Sequence, residues 1–326
     1  MQVGIIERKG YVLTRSTLKC LSQVASINPT LGCVHQCAYC YARGYSIYPG
    51  DGKVLVYGNM PEKLRSELSR RRTLPAYVFF SPICDVMQPI PQVLKVTYEL
   101  MSILFERGVG VNLLTKGRIY PQFLPLFRQY KQLVHVQIGI TTLNREIQKK
   151  LEPFAATPQE RIQNIKQLCE MGILPEAKLD PLIPGVTDTA TNLRALFKAL
   201  QEFGVNSAGV NYLFLRPQIK RNLCKDLGNT PLLQEISKRY QNGKPLNLLA
   251  EQSRIIALDT HYRKPAYEQI ASLAADYGIR AYVCGCKNPD ITEEPLCGET
   301  WGQHFARPPK QKPLICDGGK AATTER

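Results

Sequence analysis

The chain has 326 residues, 44% apolar and 21% charged, long enough for one large α/β domain with an extension or for two modest domains. No run approaches the roughly eighteen uninterrupted apolar residues of a membrane span, and the opening MQVGIIERKGYVLTRS lacks the apolar centre of an export signal, so the expectation is a soluble, cytoplasmic protein with no membrane partner. Forty-two Lys and Arg against 27 Asp and Glu give a formal charge of +15, which favours a polyanionic partner such as DNA, RNA or an acidic surface, with a generic solubilising surface as the plain alternative.

Residues 1–20 read as an N-terminal segment, 21–217 as the main α/β body, 218–304 as a C-terminal extension, and 305–326 as a basic, disordered tail. Within the body, strands are expected at 21–27, 77–81, 109–114, 134–141, 176–182 and 207–214. Helical spacing of apolar residues marks 93–107, 119–130, 158–172 and 189–204. Alternating strands and helices predict parallel strands with crossover helices, and six such units predict a partial (β/α)6 TIM-type barrel of the α/β class. Ligands of such barrels sit at the carboxyl ends of the strands. In the extension, a helix is expected over 265–277, followed by a strand at IRAYVCG, packed on the barrel.

Eleven cysteines, an odd count in a long chain without an export signal, read as reduced thiols rather than disulfides. Three of them, Cys33, Cys37 and Cys40, lie within eight residues in GCVHQCAYCYAR, directly after the first expected strand. Three thiolates on one short loop can hold three irons of a [4Fe-4S] cube and leave the fourth iron open to a substrate or cofactor. Zinc competes, with His35 inside the loop as a fourth ligand, although structural zinc usually takes two ligand pairs from separate segments. A second constellation lies in YVCGCKNPDITEEPLCGETW, where Cys284, Cys286 and Cys297 are joined in the tail by Cys316. It reads as a second iron–sulfur cluster, a structural zinc site, or uncoordinated thiols near the substrate.

The cysteine spacing, with Tyr39 before the last cysteine, resembles the radical S-adenosylmethionine (SAM) superfamily, and NPTLGCVHQCAYCYARG resembles its spore photoproduct lyase-like branch. Later segments agree over residues 20–217. SPICDVMQPIP resembles the branch at Ser81, Asp85, Gln88 and Pro89, while Cys84 stands where threonine is usual and Pro91 where glutamate is. LEPFAATPQERI is similar through Glu152 and Arg161, and KLDPLIPGVTD through Asp180, Pro181, Pro184, Gly185 and Asp188.

The resemblance implies one [4Fe-4S] cluster on Cys33, Cys37 and Cys40 and one SAM, chelated to the open iron. A low-potential donor of the flavodoxin or ferredoxin type would supply the electron that cleaves SAM to methionine and a 5′-deoxyadenosyl radical for hydrogen abstraction. It further implies a backbone contact of Tyr39 near the adenine and cofactor contacts at Ser81. Lys116 would pair with the SAM carboxylate and the Thr141 and Thr142 hydroxyls with its ribose or amine. Glu152 and Arg161 would form a charge pair that orders the loop or reaches the cofactor, or a purely structural bridge. Cys84 is either a hydrogen donor to the product radical or a buried thiol. A nucleic acid or another bulky partner is the expected substrate, although no aromatic stacking platform is evident and Trp301 is the single tryptophan. The alternatives are modification of a peptide or small molecule with a second C-terminal cluster, and a zinc-stabilised nucleic-acid-binding protein without activity.

Overall fold

The structure is a computed structural model that describes residues 1–15, 22, 24–248, 254–292 and 305; Cys297, Trp301 and Cys316 lie outside the described residues. The chain opens with β1 (Gln2–Ile6) and β2 (Thr14–Arg15), then β3 (Ala25–Ile27) and β4 (Thr30–Leu31). The cysteine loop follows β4, and β5 (Lys53–Tyr57) and α1 (Met60–Ser69) come after it. Next are β6 (Tyr77–Phe80), α2 (Pro91–Glu106), β7 (Gly110–Thr115), α3 (Phe123–Gln129), β8 (Val134–Gly139), α4 (Arg145–Leu151) and α5 (Pro158–Glu170). The body closes with β9 (Glu176–Leu182), α6 (Ala190–Gln201) and β10 (Ser207–Tyr212). Beyond it come α7 (Pro217–Leu227), α8 (Pro231–Arg239), the hairpin of β11 (Lys244–Asn247) and β12 (Arg254–Ala257), α9 (Thr260–Ala275) and β13 (Arg280–Val283).

Strands β3, β6, β7, β8, β9 and β10 run parallel side by side, the six units expected of a partial TIM-type barrel. The strand at the end of the extension does not merely pack on this barrel: β13 pairs parallel with β10 and continues the sheet. It satisfies backbone groups that would otherwise form an open edge. At the other end β2 pairs antiparallel with β3, giving eight strands in one sheet. A separate sheet of β1, β5 and β4 carries the cysteine loop, so that loop leaves from β4 rather than directly from the first barrel strand.

Several boundaries move. The run at 21–27 pairs only over Ala25–Ile27, with residues 21 and 23 outside the described set. The strands expected to reach 141 and 214 stop at Gly139 and Tyr212. The helix expected from 119 begins at Phe123, and the Ile119 N–H is bound at 2.9 Å by the Asn164 side chain. The last helix starts at Thr260 behind an Asp259 cap and carries Pro265 inside it. By contrast α5 begins where its Thr157-to-Glu160 capping box directs.

Alternation along the strands divides the sheet into an apolar outer face and a polar inner one. On β8, Val134, Val136 and Ile138 join the main core, while His135 and Gln137 are buried facing the other way. The inner residues find partners across neighbouring strands. His135 bonds Asn112 at 3.1 Å, and Gln137 bonds Glu176 at 3.2 Å. Gly209 leaves room for this layer, since a Cβ there would lie 2.4 Å from the Lys178 ammonium. Filling Gly139 would put a Cβ 2.7 Å from Lys116 Cγ.

Leu113 is fully buried on the outer face of β7. Leu113→Ala is expected to cost about 2–5 kcal/mol of stability in urea unfolding, through lost transfer energy and a residual cavity.

Candidate active site

Cys33, Cys37 and Cys40 line one cleft of about 910 Å³, counting its open mouth, at the carboxyl ends of the barrel strands. Ser81, Cys84, Asp85 and Lys116 from the ends of β6 and β7 line it too. All three loop cysteines are half-buried and outside any disulfide. Burial pushes all three thiols above their ordinary pKa, and at Cys33 the neighbouring Asp85 adds to the rise. Thiols so placed ionise readily only beside a strong positive charge, which is what a metal supplies. Among the described residues no three His, Cys, Asp or Glu side chains converge on one point as a mononuclear site requires. A cube spreads its ligands over separate irons, so three cysteines around one cleft suit it without such convergence. The residues present therefore fit a [4Fe-4S] cluster.

The loop's shape is fixed from several sides. Gly32 adopts φ +79, and a Cβ there would sit 2.3 Å from the Lys53 carbonyl oxygen, so the turn into Cys33 admits only glycine. Gln88 accepts the Val34 N–H at 2.7 Å and donates to the Asp85 carbonyl at 2.7 Å. Asp85 itself accepts from Thr115 Oγ1 at 2.8 Å and from the Lys116 and Met87 backbone N–H groups at 2.7 and 2.8 Å. His35, the zinc-reading ligand, is buried with Nδ1 3.5 Å from Asp85, and burial lowers its pKa toward the neutral ring.

Beneath the loop lies a buried chain of charge. The Tyr39 hydroxyl donates to Glu152, and Glu152 pairs with Arg161; the carboxylate and guanidinium are both almost wholly inaccessible. Arg161 also donates to the Gly139 and Ala156 carbonyls at 2.8 and 2.9 Å. Burial works against the Glu152 charge, but Arg161 and Lys116 outweigh it and hold the carboxyl below its usual range. On the outer side, Arg43 is gripped by Asp51 and Asp226 and reaches the Cys37 carbonyl at 3.4 Å. No local pattern flags Arg43, whose Asp226 partner lies 183 positions away.

Tyr39 is thus buried with its ring away from the cleft lining, and Lys116 Nζ lies 5.6 Å above that ring. The Lys116 ammonium also donates to the Asp180 carbonyl at 3.3 Å. Cys84 bonds Ser81 Oγ at 2.8 Å and Thr30 Oγ1 at 3.0 Å, and Ser81 sits at φ +62, a strained conformation for a serine. Thr141 and Thr142 are buried outside the cleft lining; Asn192 donates to the Thr141 carbonyl at 2.9 Å. Sequence reasoning missed the cleft's aromatic wall: Tyr41, Tyr45 and Tyr48 line it, with Tyr41 and Tyr45 edge to face at 5.8 Å and Arg216 over Tyr41. The signal was present in CYARGYSIYPG directly after the cysteines.

Cys284 and Cys286 lie just past β13, buried, with their sulfurs 2.7 Å apart. They pack with Val24, Phe79 and Tyr282, against Leu114, which also lines the cleft. Their proposed partners Cys297 and Cys316 are outside the described residues. Next to them Lys287 pairs with Asp180, tying this segment to the end of β9.

Residues 27–197 match the sequence profile of the Radical SAM superfamily, more than half of the chain, and the chain belongs to that superfamily. An uncharacterized protein of Methanocaldococcus jannaschii is 29% identical over 168 residues, 50% of this chain and 61% of that one. A radical SAM Nalpha-GlyT isomerase of Pseudomonas phage M6 is 28% identical over 278 residues, 83% of this chain and 57% of that one. The chain therefore spans only about six-tenths of the length of these relatives. A spore photoproduct lyase mutant solved with bound SAM and a dinucleoside spore photoproduct shares the fold at TM-score 0.63 and 14% identity, covering 86% of this chain and 81% of the other. Superfamily membership implies a [4Fe-4S] cluster and SAM. Among the described residues no helix is long and apolar enough to cross a membrane.

Two substitutions separate the supports of the loop. Glu152→Gln leaves the Arg161 charge buried without its counter-ion and is expected to cost about 3–5 kcal/mol in denaturant unfolding. Arg43→Ala is expected to lower iron retained per chain after anaerobic gel filtration while shifting the unfolding midpoint less than Glu152→Gln does.

Proposed function

We propose that Cys33, Cys37 and Cys40 hold the [4Fe-4S] cluster of an enzyme that abstracts hydrogen from a nucleobase-containing substrate. When bound, cluster and SAM supply the 5′-deoxyadenosyl radical, the demanding part of the chemistry. The protein's share is to hold and orient them and to keep water from the cleft. Lys116, an ammonium at the end of β7 facing the cleft, suits the SAM carboxylate, with Ser81 beside it. Tyr39 would meet the adenine through its backbone, Thr141 would serve the ribose, and the Glu152–Arg161 pair would act by fixing the loop above it.

The observation that carries the substrate class is the tyrosine wall of the cleft. Tyr41, Tyr45 and Tyr48, with Arg216 over Tyr41, offer flat and cationic surfaces to an unstacked base. The formal charge of +15 favours its phosphates. Cys84 faces the same cleft and is suited to return a hydrogen atom to a product radical: its S–H bond breaks as the substrate C–H bond forms, leaving a thiyl radical.

One observation favours a second reading. Cys284 and Cys286 border the cleft through Leu114, so a second iron–sulfur cluster or zinc completed by Cys297 and Cys316 would stand on the substrate side. That reading suits a peptide or small-molecule substrate.

Anaerobic incubation with SAM and dithionite is expected to yield 5′-deoxyadenosine, rising with a single-stranded oligonucleotide and absent from the Cys33/Cys37/Cys40→Ala protein. No stimulation by any nucleic acid would overturn the substrate class. Cys84→Ala is expected to keep SAM cleavage while losing closed-shell product by more than about tenfold, whereas an inert buried thiol would leave both unchanged. Metal loss on replacing Cys284 and Cys286 by Ser, with the first cluster retained, would support the second reading.

A further inference from the structure

The back of the cysteine loop rests on α4 and the turn after it. The Ala38 N–H donates to the Leu151 carbonyl at 2.8 Å, and the Phe154 N–H to the His35 carbonyl at 3.4 Å. From beside, α7 reaches the loop through Asp226 on Arg43, and α7 packs against α4. The exposed residues of these two helices are strongly basic. Arg145, Lys149 and Lys150 on α4 and Lys220, Arg221 and Lys225 on α7 are all exposed, against exposed Glu146, an Asp226 engaged by Arg43 and an Asp51 that pairs with both Arg43 and Lys225. Phe154, in the turn that touches His35, is 58% exposed, large for an aromatic side chain. None of these six basic residues, nor Phe154, lines the cleft, although Arg43 does.

We propose that the basic α4–α7 face, with Phe154 as its apolar contact, is the docking surface for a small acidic one-electron carrier protein. The proposal rests on the radical SAM reading above and names where the electron enters. One electron leaves the carrier's reduced flavin or iron–sulfur centre and enters the cluster held by the loop; no bond is made or broken and no proton moves. Electron transfer between proteins falls steeply with distance, so the carrier must sit where the loop comes nearest the surface. This face touches the loop backbone directly at His35 and Ala38 through Phe154 and Leu151, and holds Arg43 of the loop through Asp226. A positive patch around an apolar contact steers an acidic partner and sets its orientation. A nucleic acid would also be drawn to positive charge, but it gains nothing from lying behind the cluster rather than over the cleft.

The test compares the iron-loaded protein with Lys149→Glu/Lys150→Glu/Lys220→Glu, and with the matching Gln set because glutamates in the last turn of α4 oppose its dipole. Cluster reduction is followed by loss of visible absorbance, with reduced flavodoxin or with dithionite. With flavodoxin, the rate is expected to fall with rising salt in the wild type, about tenfold or more in the Glu set at low salt, and less in the Gln set. With dithionite at about 0.15 M salt all three proteins should agree within about twofold. Equal flavodoxin rates in all three proteins overturn the proposal. So does an unchanged flavodoxin rate beside weakened oligonucleotide binding, which would assign the face to nucleic acid. A protein that binds no iron at all fails the radical SAM reading instead, before the surface is in question.

Discussion

The Glu152–Arg161 ion pair buried under the cysteine loop ties the site to the barrel. A buried pair of this kind is tolerable only with further hydrogen bonds on both partners, and here each has them. Glu152 accepts the Tyr39 hydroxyl, and Arg161 serves two carbonyls at the end of β8 and before α5. The pair thus joins the cysteine loop, the end of β8 and the start of α5 into one unit. With the Arg43 clamp on the outer side, it turns a loop of eight residues into a rigid holder for three thiols.

The polar inner face of the sheet is the second constraint. Filling a barrel with His135, Gln137, Glu176 and Lys178 costs desolvation that an apolar core would not incur. The cost is offset by lateral pairing: Asn112 with His135, Gln137 and Tyr282 with Glu176, and Lys287 with Asp180. These last two partners come from the C-terminal segment, so the segment that adds the seventh parallel strand also completes the polar interior. The arrangement places Cys284 and Cys286 beside the cleft rather than on the surface.

Much of the fold was legible because the barrel strands carry alternating apolar positions and the helices carry their own caps. Glu176–Leu182 matches its expected bounds, and α5 starts at its capping box. The cysteine loop and the pairing of Glu152 with Arg161 were legible too, both being short-range patterns. What escaped were contacts between distant segments and short strands. Nothing local marks Arg43 for Asp226, β13 for the edge of β10, or KVLVY as the partner of the N-terminal strand. The tyrosine wall escaped for a different reason: GYSIYPG reads as a turn, and only the fold turns its rings toward the cysteines.

The most direct test of the central claim is electron paramagnetic resonance of the anaerobically reduced protein with and without SAM. A cluster held by three cysteines with one open iron predicts a [4Fe-4S]+ signal that changes shape when SAM is added and is lost in the Cys33/Cys37/Cys40→Ala protein. A signal that SAM leaves unmoved, or a SAM-responsive signal that persists in that variant, would contradict the account.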